Sequence, residues 1–197
     1  MSIELVLGLG NPGPSYAETR HNVGFRVVDE LARRNGCGGW DRHPSCEIQP
    51  LAIAGGVLSA KPLTYMNRSG DAAGWLMERY ALDPERILVV VDDIDLPIGR
   101  LRLRKHGGPG THNGLRDLCD AVGNGFARLR VGVRGEEVWD DLAAFVTEPF
   151  AAHELEDVDR AIVRAADAVE AVITDGLDTA MNRFNRVEGD EVKRLGS

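Results

Sequence analysis

Apolar positions follow two patterns along the chain, short continuous runs and longer stretches with helical spacing. The clearest run is Ile87–Val91, which is apolar at every position, as a strand covered on both faces is. A shorter run, Leu5–Leu7, ends in a loop rich in Gly and Pro. Residues 47–53 and 56–60 read as two more strands around a short glycine turn, and this spacing predicts a hairpin.

Helical spacing predicts five helices, which begin near residues 23, 72, 115, 151 and 177. Asn22 is placed to cap the first helix, and Gly36 to end it. Further strands are predicted at 101–103, where Leu alternates with Arg, and at 127–133. The hairpin and the short strand at 101–103 do not fit an all-parallel sheet. We therefore expect one α/β domain over residues 1–197, with a twisted, mixed and mostly parallel sheet flanked by helices.

Charge is distributed unevenly along the chain. The 197 residues carry a formal net charge of −8, which by itself argues against a nucleic-acid partner. Basic residues nevertheless concentrate between positions 100 and 134, and acidic residues from Glu136 through Asp178. This asymmetry allows a local basic face that a polyanion can meet, although arginines that only solvate a strand edge explain the pattern equally well.

The sequence shows no sign of a membrane or secreted protein. Its apolar runs are shorter than a membrane span, and its amino terminus lacks the shape of a signal peptide. The three cysteines, Cys37, Cys46 and Cys119, are odd in number and lack metal-ligand spacing. We expect a cytoplasmic protein with reduced thiols and no membrane association. Nothing in the sequence demands more than a monomer.

The loop after the first strand contains Gly8-x-Gly10-x-x-Gly13, which matches the dinucleotide-binding fingerprint. That fingerprint holds a pyrophosphate with backbone N–H groups at a helix N-terminus. Pro12 and Pro14 have no N–H to donate, and the next helix does not open at Gly13. A nucleotide-dependent oxidoreductase is therefore a weak alternative.

Five polar residues fall at strand ends and in loops, where an α/β fold gathers ligands: Asn11, His21, Asn67, Asp92 and Asn113. A histidine can take a proton near neutral pH, and an aspartate on its other nitrogen fixes the tautomer. Asparagine amides can hold an attacked carbonyl or the attacking water. The sequence lacks both a serine in a nucleophile elbow and a cluster with metal-ligand spacing. The set therefore indicates metal-free attack of water on an activated acyl group.

Each of these residues also has a purely structural interpretation, which sequence spacing leaves open. Asn67 and Asn113 are typical helix caps or turn formers, and Asp is common where a strand stops. A single histidine before a helix is more often a loop residue than a catalyst. His112, in a glycine-rich loop, is a competing base.

Four motifs stand out when the chain is taken as a whole. They are GLGNPGPSYAETRHNVGF at 8–25, KPLTYMNRSG at 61–70, VDDIDLPIGRLRLRKHGGPGTHNGLRDL at 91–118, and FARLRVGVRG at 126–135. Together, and in this order, they resemble the bacterial-type peptidyl-tRNA hydrolase family. The resemblance implies peptidyl-tRNA as the partner and hydrolysis of the ester between the peptide and the terminal ribose of tRNA. It implies no cofactor and no metal.

The resemblance also implies roles for individual residues. His21 matches the catalytic base and Asp92 the aspartate that orients it, with Asn11 holding substrate and water beside them. The residues that match substrate-binding positions are Tyr16, Met66, Asn67 and Asn113. Those near the family's basic contacts with tRNA phosphate are Arg104, Lys105 and Arg130.

The chain departs from the family pattern at a few positions. Val91 and Pro109 stand where histidines are common, and Tyr65 stands where Phe is common. Asp93 is a second carboxylate beside Asp92, so the choice between them rests on alignment. A non-catalytic RNA-binding module of this fold is the second alternative, and the intact set of His21, Asp92 and asparagines argues against it.

Overall fold

The computed structural model describes residues 2–135 and 139–186. Its strands are β1 (Leu5–Gly8), β2 (Asp41–Arg42), β3 (Cys46–Leu51), β4 (Val57–Pro62), β5 (Ile87–Pro97), β6 (Leu101–Arg104) and β7 (Ala127–Arg134). They form one sheet in the order β2-β3-β4-β1-β5-β7-β6. The four central strands β4, β1, β5 and β7 run parallel to one another, whereas β2, β3 and β6 are antiparallel to their neighbours. The carboxyl ends of β1, β5 and β7 therefore share one edge of the sheet.

Helices cover both faces of this sheet. They are α1 (Val23–Arg34), α2 (Ser69–Tyr80), α3 (Asn113–Val122), α4 (Leu142–Thr147), α5 (Leu155–Asp175) and α6 (Leu177–Phe184). Because side chains alternate along a strand, Leu88 and Val90 of β5 pack with α1, α5 and α6, while Val89 packs with α2 and α3. Two covered faces explain why the predicted strand is apolar at every position.

The predicted α/β class and the mixed sheet with a parallel core are confirmed. The hairpin is also confirmed, as β3 and β4. The extent of the domain over 1–197 stays a prediction, because Met1, 136–138 and 187–197 lie outside the described residues. In the part of the chain that is described, no helix has both the length and the apolar character to span a membrane.

The structure differs from the sequence prediction where β5 ends. The strand was expected to stop at Asp92, but it continues to Pro97, with a shift of register against β7 between Asp93 and Pro97. Gly132 of β7 permits this continuation, because a Cβ there would lie only 2.8 Å from the Leu96 carbonyl oxygen. Asp92 therefore lies inside a strand whose residues before and after it pair with β7, and this pairing fixes the position of its backbone.

Three other local differences concern helices. Asn22 does not cap α1 with its side chain, and α5 begins at Leu155 rather than near 151. The short helix α4 was not predicted. Asp141 caps α4, because its carboxylate accepts hydrogen bonds from the N–H groups of Ala143 and Ala144.

Candidate active site

A cavity of about 210 Å³ opens at the carboxyl edge of the parallel strands. Asp92 and Asp93 of β5 form part of its wall, and the turn Arg20–Asn22 before α1 brings His21 to it. The loop before α3 contributes His112, and the first residue of α3 contributes Asn113. Segments distant in sequence thus meet at the edge where open α/β sheets bind ligands.

Two imidazoles share one oxygen of Asp92. The Nδ1 atom of His21 lies 2.8 Å from Asp92 Oδ1, and the Nε2 atom of His112 lies 3.0 Å from the same oxygen. The two rings are neighbours, with centroids 4.9 Å apart. All three side chains are buried. The family resemblance implied that Asp92 orients His21, whereas His112 was considered only as a competing base and not as a second partner of Asp92.

The hydrogen bonds assign a different state to each histidine. The N–H of Leu115 donates to His112 Nδ1 at 3.0 Å, so this nitrogen carries no proton and His112 donates from Nε2 to Asp92. His21 donates from Nδ1 to the same carboxylate, which leaves its Nε2 lone pair free. No group in the described part of the chain bonds to His21 Nε2, so this atom can accept a proton.

Charge and burial act in opposite directions on these groups. Burial disfavours the charged form of His21, but the charge of Asp92 and its hydrogen bond outweigh burial and raise the pKa of His21 above 6.5. Burial by itself would raise the pKa of Asp92, yet the two imidazoles hold that pKa well below its usual range. Asp92 is therefore an anion at neutral pH and favours the imidazolium form of His21.

His21, Asp92 and His112 are also side-chain types that bind metal ions, and their ligand atoms lie within 4.8 Å of one another. The geometry fits hydrogen bonds better. Two ligands of one tetrahedral Zn²⁺ ion, each at about 2.0–2.1 Å, lie about 3.3 Å apart. The separations here are 2.8 and 3.0 Å, and His112 Nε2 carries a proton towards Asp92. The three residues therefore form two N–H···O bonds to one carboxylate.

Asn11 is fixed by three hydrogen bonds, and none of them uses its side-chain NH₂ group. Its backbone N–H donates to Asn22 Oδ1 at 2.8 Å, and its carbonyl accepts from Asn22 Nδ2 at 2.9 Å. Its Oδ1 accepts from the N–H of Met66 at 2.8 Å. The Nδ2 group has no partner among the described residues and is therefore available to donate to a carbonyl oxygen. Asn22, which the sequence predicted as a helix cap, instead fixes the loop that carries Asn11.

The other predicted substrate-binding residues lie on three segments, namely the loop after β1, the turn after β4 and the start of α3. Asn67 is exposed in the turn Met66–Arg68, while Met66 is buried beneath it. Asn113 is exposed at the first position of α3 and accepts from Arg116 at 3.2 Å. Tyr16 lies edge-on to the exposed Tyr65, with ring centroids 6.2 Å apart. Both asparagines are therefore exposed to solvent, and of the two only Asn113 is among the residues that line the cavity.

The three predicted phosphate-binding residues are not equivalent. Arg130 lies at the cavity and bonds to Asp93 at 3.3 Å and to the carbonyls of Gly108 and Pro109. Arg104 lies opposite Arg128 of β7, which in turn lies opposite Val89 of β5. Val89 precedes Asp92 by three residues, so Arg104 is displaced from Asp92 by about 10 Å along the strand direction. Lys105 follows it and pairs with Asp178 at 2.9 Å. The predicted set thus extends along the strands away from the cavity.

Arg102 belongs with these residues, as one of the basic residues at 102–105 that the sequence predicted to bind phosphate near the acceptor end. It lies directly opposite Arg130, and Arg104 directly opposite Arg128, so all four side chains point to one face of β6 and β7. Arg102 and Arg104 are exposed, whereas Arg128 is buried and bonds to the carbonyls of Gly107 and Gly108. The alternation of Leu and Arg along β6 is the sequence signal for this exposed row of arginines.

The dinucleotide-binding interpretation does not match the loop. A Cβ at Gly8 would lie 2.8 Å from the Gly24 carbonyl carbon, and a Cβ at Gly10 would lie 2.7 Å from the Phe25 ring. These glycines therefore allow β1 to pack closely against α1. The helix itself begins at Val23, ten residues after Gly13, so its N-terminus is not at the glycine loop. The positions of the glycines have a packing explanation that needs no pyrophosphate.

Arg20, which the sequence analysis passed over, holds the cavity wall formed by α4. Its guanidinium is buried, pairs with Glu154 at 2.7 Å, and lies 4.5 and 4.6 Å from the ring centres of Phe145 and Phe150. Its backbone N–H donates to the Glu148 carbonyl at 3.2 Å. Leu142, Ala143 and Val146 of α4 line the cavity. The turn that carries His21 is therefore tied to the apolar wall that faces it.

Comparison with known proteins identifies the family. A family model described as peptidyl-tRNA hydrolase matches residues 5–193. A peptidyl-tRNA hydrolase of Synechococcus sp. (strain JA-3-3Ab) is 44% identical over 191 residues, covering 95% of this chain and 85% of that protein. One from Chloroflexus aggregans is 45% identical over 184 residues, covering 92% and 98%. The crystal structure of peptidyl-tRNA hydrolase from Acinetobacter baumannii matches with a TM-score of 0.86 and 36% identity, covering 93% of this chain and 94% of that one. The chain belongs to the peptidyl-tRNA hydrolase family and is a hydrolase.

Proposed function

We propose that this enzyme hydrolyses the ester between a peptide and the 3′-terminal ribose of tRNA in the cytoplasm, with His21 as the general base. The observation that carries the proposal is the arrangement of His21, whose Nδ1–H is bonded to Asp92 while Nε2 is free beside the cavity. A neutral imidazole fixed in this tautomer is a proton acceptor with a defined direction.

The reaction proceeds in two proton transfers. A water molecule gives a proton to His21 Nε2 as its oxygen forms a bond to the ester carbonyl carbon, and the carbonyl oxygen becomes an oxyanion. The bond to the ribose oxygen then breaks, and His21 returns the proton to that oxygen. The products are a peptide with a free carboxyl group and a tRNA with a free terminal hydroxyl. Asp92 stabilises the imidazolium that exists between the two transfers.

Asparagine amides hold the substrate in this scheme. The Nδ2 group of Asn11, whose Oδ1 is occupied by the Met66 N–H, donates to the attacked carbonyl in this scheme. Asn113 holds the developing oxyanion with it, and Asn67 binds the first peptide amide beside Tyr16 and Met66. An ester is a reactive acyl substrate, so general-base help of about 10²–10⁴-fold combined with this positioning is sufficient.

The tRNA phosphates bind along the arginine face of β6 and β7, which we define as Arg102, Arg104 and Arg130, with Lys105 at its end. Like charges directly opposite on neighbouring strands repel, and phosphate oxygens relieve that repulsion. Affinity for tRNA should therefore fall as salt rises, with a smaller slope in the Arg102→Gln/Arg104→Gln double variant. A salt-independent affinity in the wild type would show that this face does not bind phosphate.

The function is tested by release of N-acetylaminoacyl groups from tRNA by the purified protein, with chelator present. We expect release by the wild type and a loss of about 10²–10⁴-fold in the His21→Ala variant. His153→Ala is the matched control, because His153 is exposed on the surface. A His21→Ala variant as active as the wild type would remove His21 from its role and direct attention to His112.

Loss of activity with chelator would indicate a metal. Binding of tRNA without hydrolysis by the wild type would favour an RNA-binding module.

A further inference from the structure

Hydrogen bonds and the backbone that connects them form a closed ring, in which His21, Asp92 and His112 line the cavity. From His21 it passes through Asp92 to His112, and from His21 in the other direction through the adjacent Asn22 to Asn11 and the N–H of Met66. The two arms end on separate segments. One segment is the turn from Met66 to Gly70, which carries Asn67. The other runs from His112 into the first part of α3, as far as Asp117, and carries Asn113.

One contact joins these two segments and closes the ring. The N–H of Gly70, in the first turn of α2, donates to Asp117 Oδ2 at 2.6 Å. It is the only hydrogen bond between the two segments among the residues that the structure describes. A carboxylate at the N-terminus of a helix is favoured by the helix dipole as well as by the hydrogen bond itself.

Two glycines bring the segments close enough for this bond. A Cβ at Gly70 would lie 2.6 Å from the Ala121 Cβ and 2.8 Å from the Asp117 carbonyl oxygen. A Cβ at Gly114 would collide with the Met66 sulfur and lie 3.1 Å from His112 Cε1. The two segments are therefore so close that neither glycine leaves room for a side chain. The bond to Asp117 fixes their relative position at the end remote from Asp92.

We infer that Asp117 is a positioning residue that sets the separation of Asn67 and Asn113, and through it the preference for an acylated amino group. The inference rests on the proposed function, in which Asn67 binds the first peptide amide and Asn113 the oxyanion. A substrate with a free amino group lacks this amide, so it makes the contact with Asn113 but not the contact with Asn67. If Asp117 aligns the two contacts, its loss reduces turnover of the acylated substrate more than turnover of the free one.

The test compares N-acetylaminoacyl-tRNA with aminoacyl-tRNA as the ratio of their kcat/KM values. We expect Asp117→Ala to lower this ratio about fivefold, the effect of one hydrogen bond, and Asp117→Asn, which keeps an acceptor, to restore most of it. Asp120→Ala is the matched control, since Asp120 is exposed on the same helix. A uniform loss of stability lowers both rates together and leaves the ratio unchanged. An unchanged ratio in Asp117→Ala, or an equal fall in Asp120→Ala, would overturn the inference.

Two further measurements keep the test decisive. If Asp117→Ala does not fold, Asp117→Glu retains the charge but moves the acceptor by one methylene, and it should lower the ratio as well. Side-chain amide signals of Asn67 and Asn113 in NMR spectra should shift in the Asp117 variants and not in Asp120→Ala, whatever the substrate. Failure of the wild type to release N-acetylaminoacyl groups would count against the proposed function, whereas unshifted amide signals would count against Asp117.

Discussion

The turn that carries His21 and the loop that carries His112 present the same side chain to the same oxygen of Asp92, yet they leave it in different chemical states. His112 has both ring nitrogens occupied, one by the Leu115 N–H and the other by Asp92. His21 has only Nδ1 occupied, and Nε2 remains free. Burial does not distinguish them, because the exposed fractions of the side chains are 9% for His21 and 6% for His112. The difference lies in the backbone: α3 begins directly after His112 and supplies a free N–H, whereas α1 begins two residues after His21.

This comparison assigns the two histidines separate functions. In the proposed mechanism, His21 exchanges a proton with water, while His112 helps to keep Asp92 ionised and in place by donating to it. A residue that is chemically able to act as a base is thus converted into a hydrogen-bond donor by the helix that follows it. The predictions below test this assignment.

The largest effect is expected from Asp92→Asn. An amide cannot stabilise the imidazolium, and its NH₂ group can turn towards His21 and impose the wrong tautomer. We expect kcat to fall about 10²–10⁴-fold with a much smaller change in KM, measured with N-acetylaminoacyl-tRNA. Asp120→Asn is the control, because Asp120 is an exposed carboxylate that does not line the cavity. A rate close to that of the wild type in Asp92→Asn would show that the carboxylate does not take part.

A smaller loss is expected from His112→Ala. The variant removes one of two donors to a carboxylate, so kcat should fall about tenfold, while His21 still accepts the proton. The same assay distinguishes the two histidines, since His21→Ala should lose far more. An equal loss in both variants, with both proteins folded, would contradict the assignment and make His112 part of the proton transfer.

The pH profiles should move in opposite directions in the two variants. The general base must be neutral, and the pKa of His21 is raised, so kcat/KM of the wild type should rise with pH through a midpoint above 6.5. Asp92→Asn removes the charge that raises this pKa and should shift the midpoint to lower pH. His112→Ala leaves the whole charge of Asp92 to His21 and should shift the midpoint to higher pH. Midpoints that move in the same direction in both variants would show that Asp92 does not control His21.

The features that the sequence predicted are those encoded locally. The continuous apolar run at Ile87–Val91 and the helical spacing after Asn22 correspond to β5 and α1. The set of Asn11, His21 and Asp92 could be assembled because each follows a predicted strand or precedes a predicted helix. Roles for individual residues stay predictions until variants are measured, but the geometry brings His21 to Asp92 and Asn11 to the turn at Met66.

The features that the sequence did not predict depend on contacts over long separations. His112 reaches Asp92 because its loop is held over β7 by Arg128 and Arg130, which bond to carbonyls around Gly108. No local pattern specifies that path. The same reason explains why Asn22 was read as a helix cap: its preference for a cap is local, while its bonds to Asn11 exist only in the folded loop.

The smallest expected effect is on stability, and its dependence on pH follows from the signs of the two pKa shifts. The raised pKa of His21 contributes stability that is complete below the unfolded value of 6.5 and is lost as pH rises through the folded pKa. The depressed pKa of Asp92 contributes stability above its unfolded value, about 3.9, that is lost as pH falls. The interaction between His21 and Asp92 therefore stabilises the fold most between about pH 4 and 6.5. The free energy of unfolding, measured with urea, should therefore differ between the wild type and Asp92→Asn by more at pH 5.5 than at pH 9. His153→Ala should show no such difference, and a gap that widens at pH 9 would mean that His21 is not the partner whose charge Asp92 stabilises.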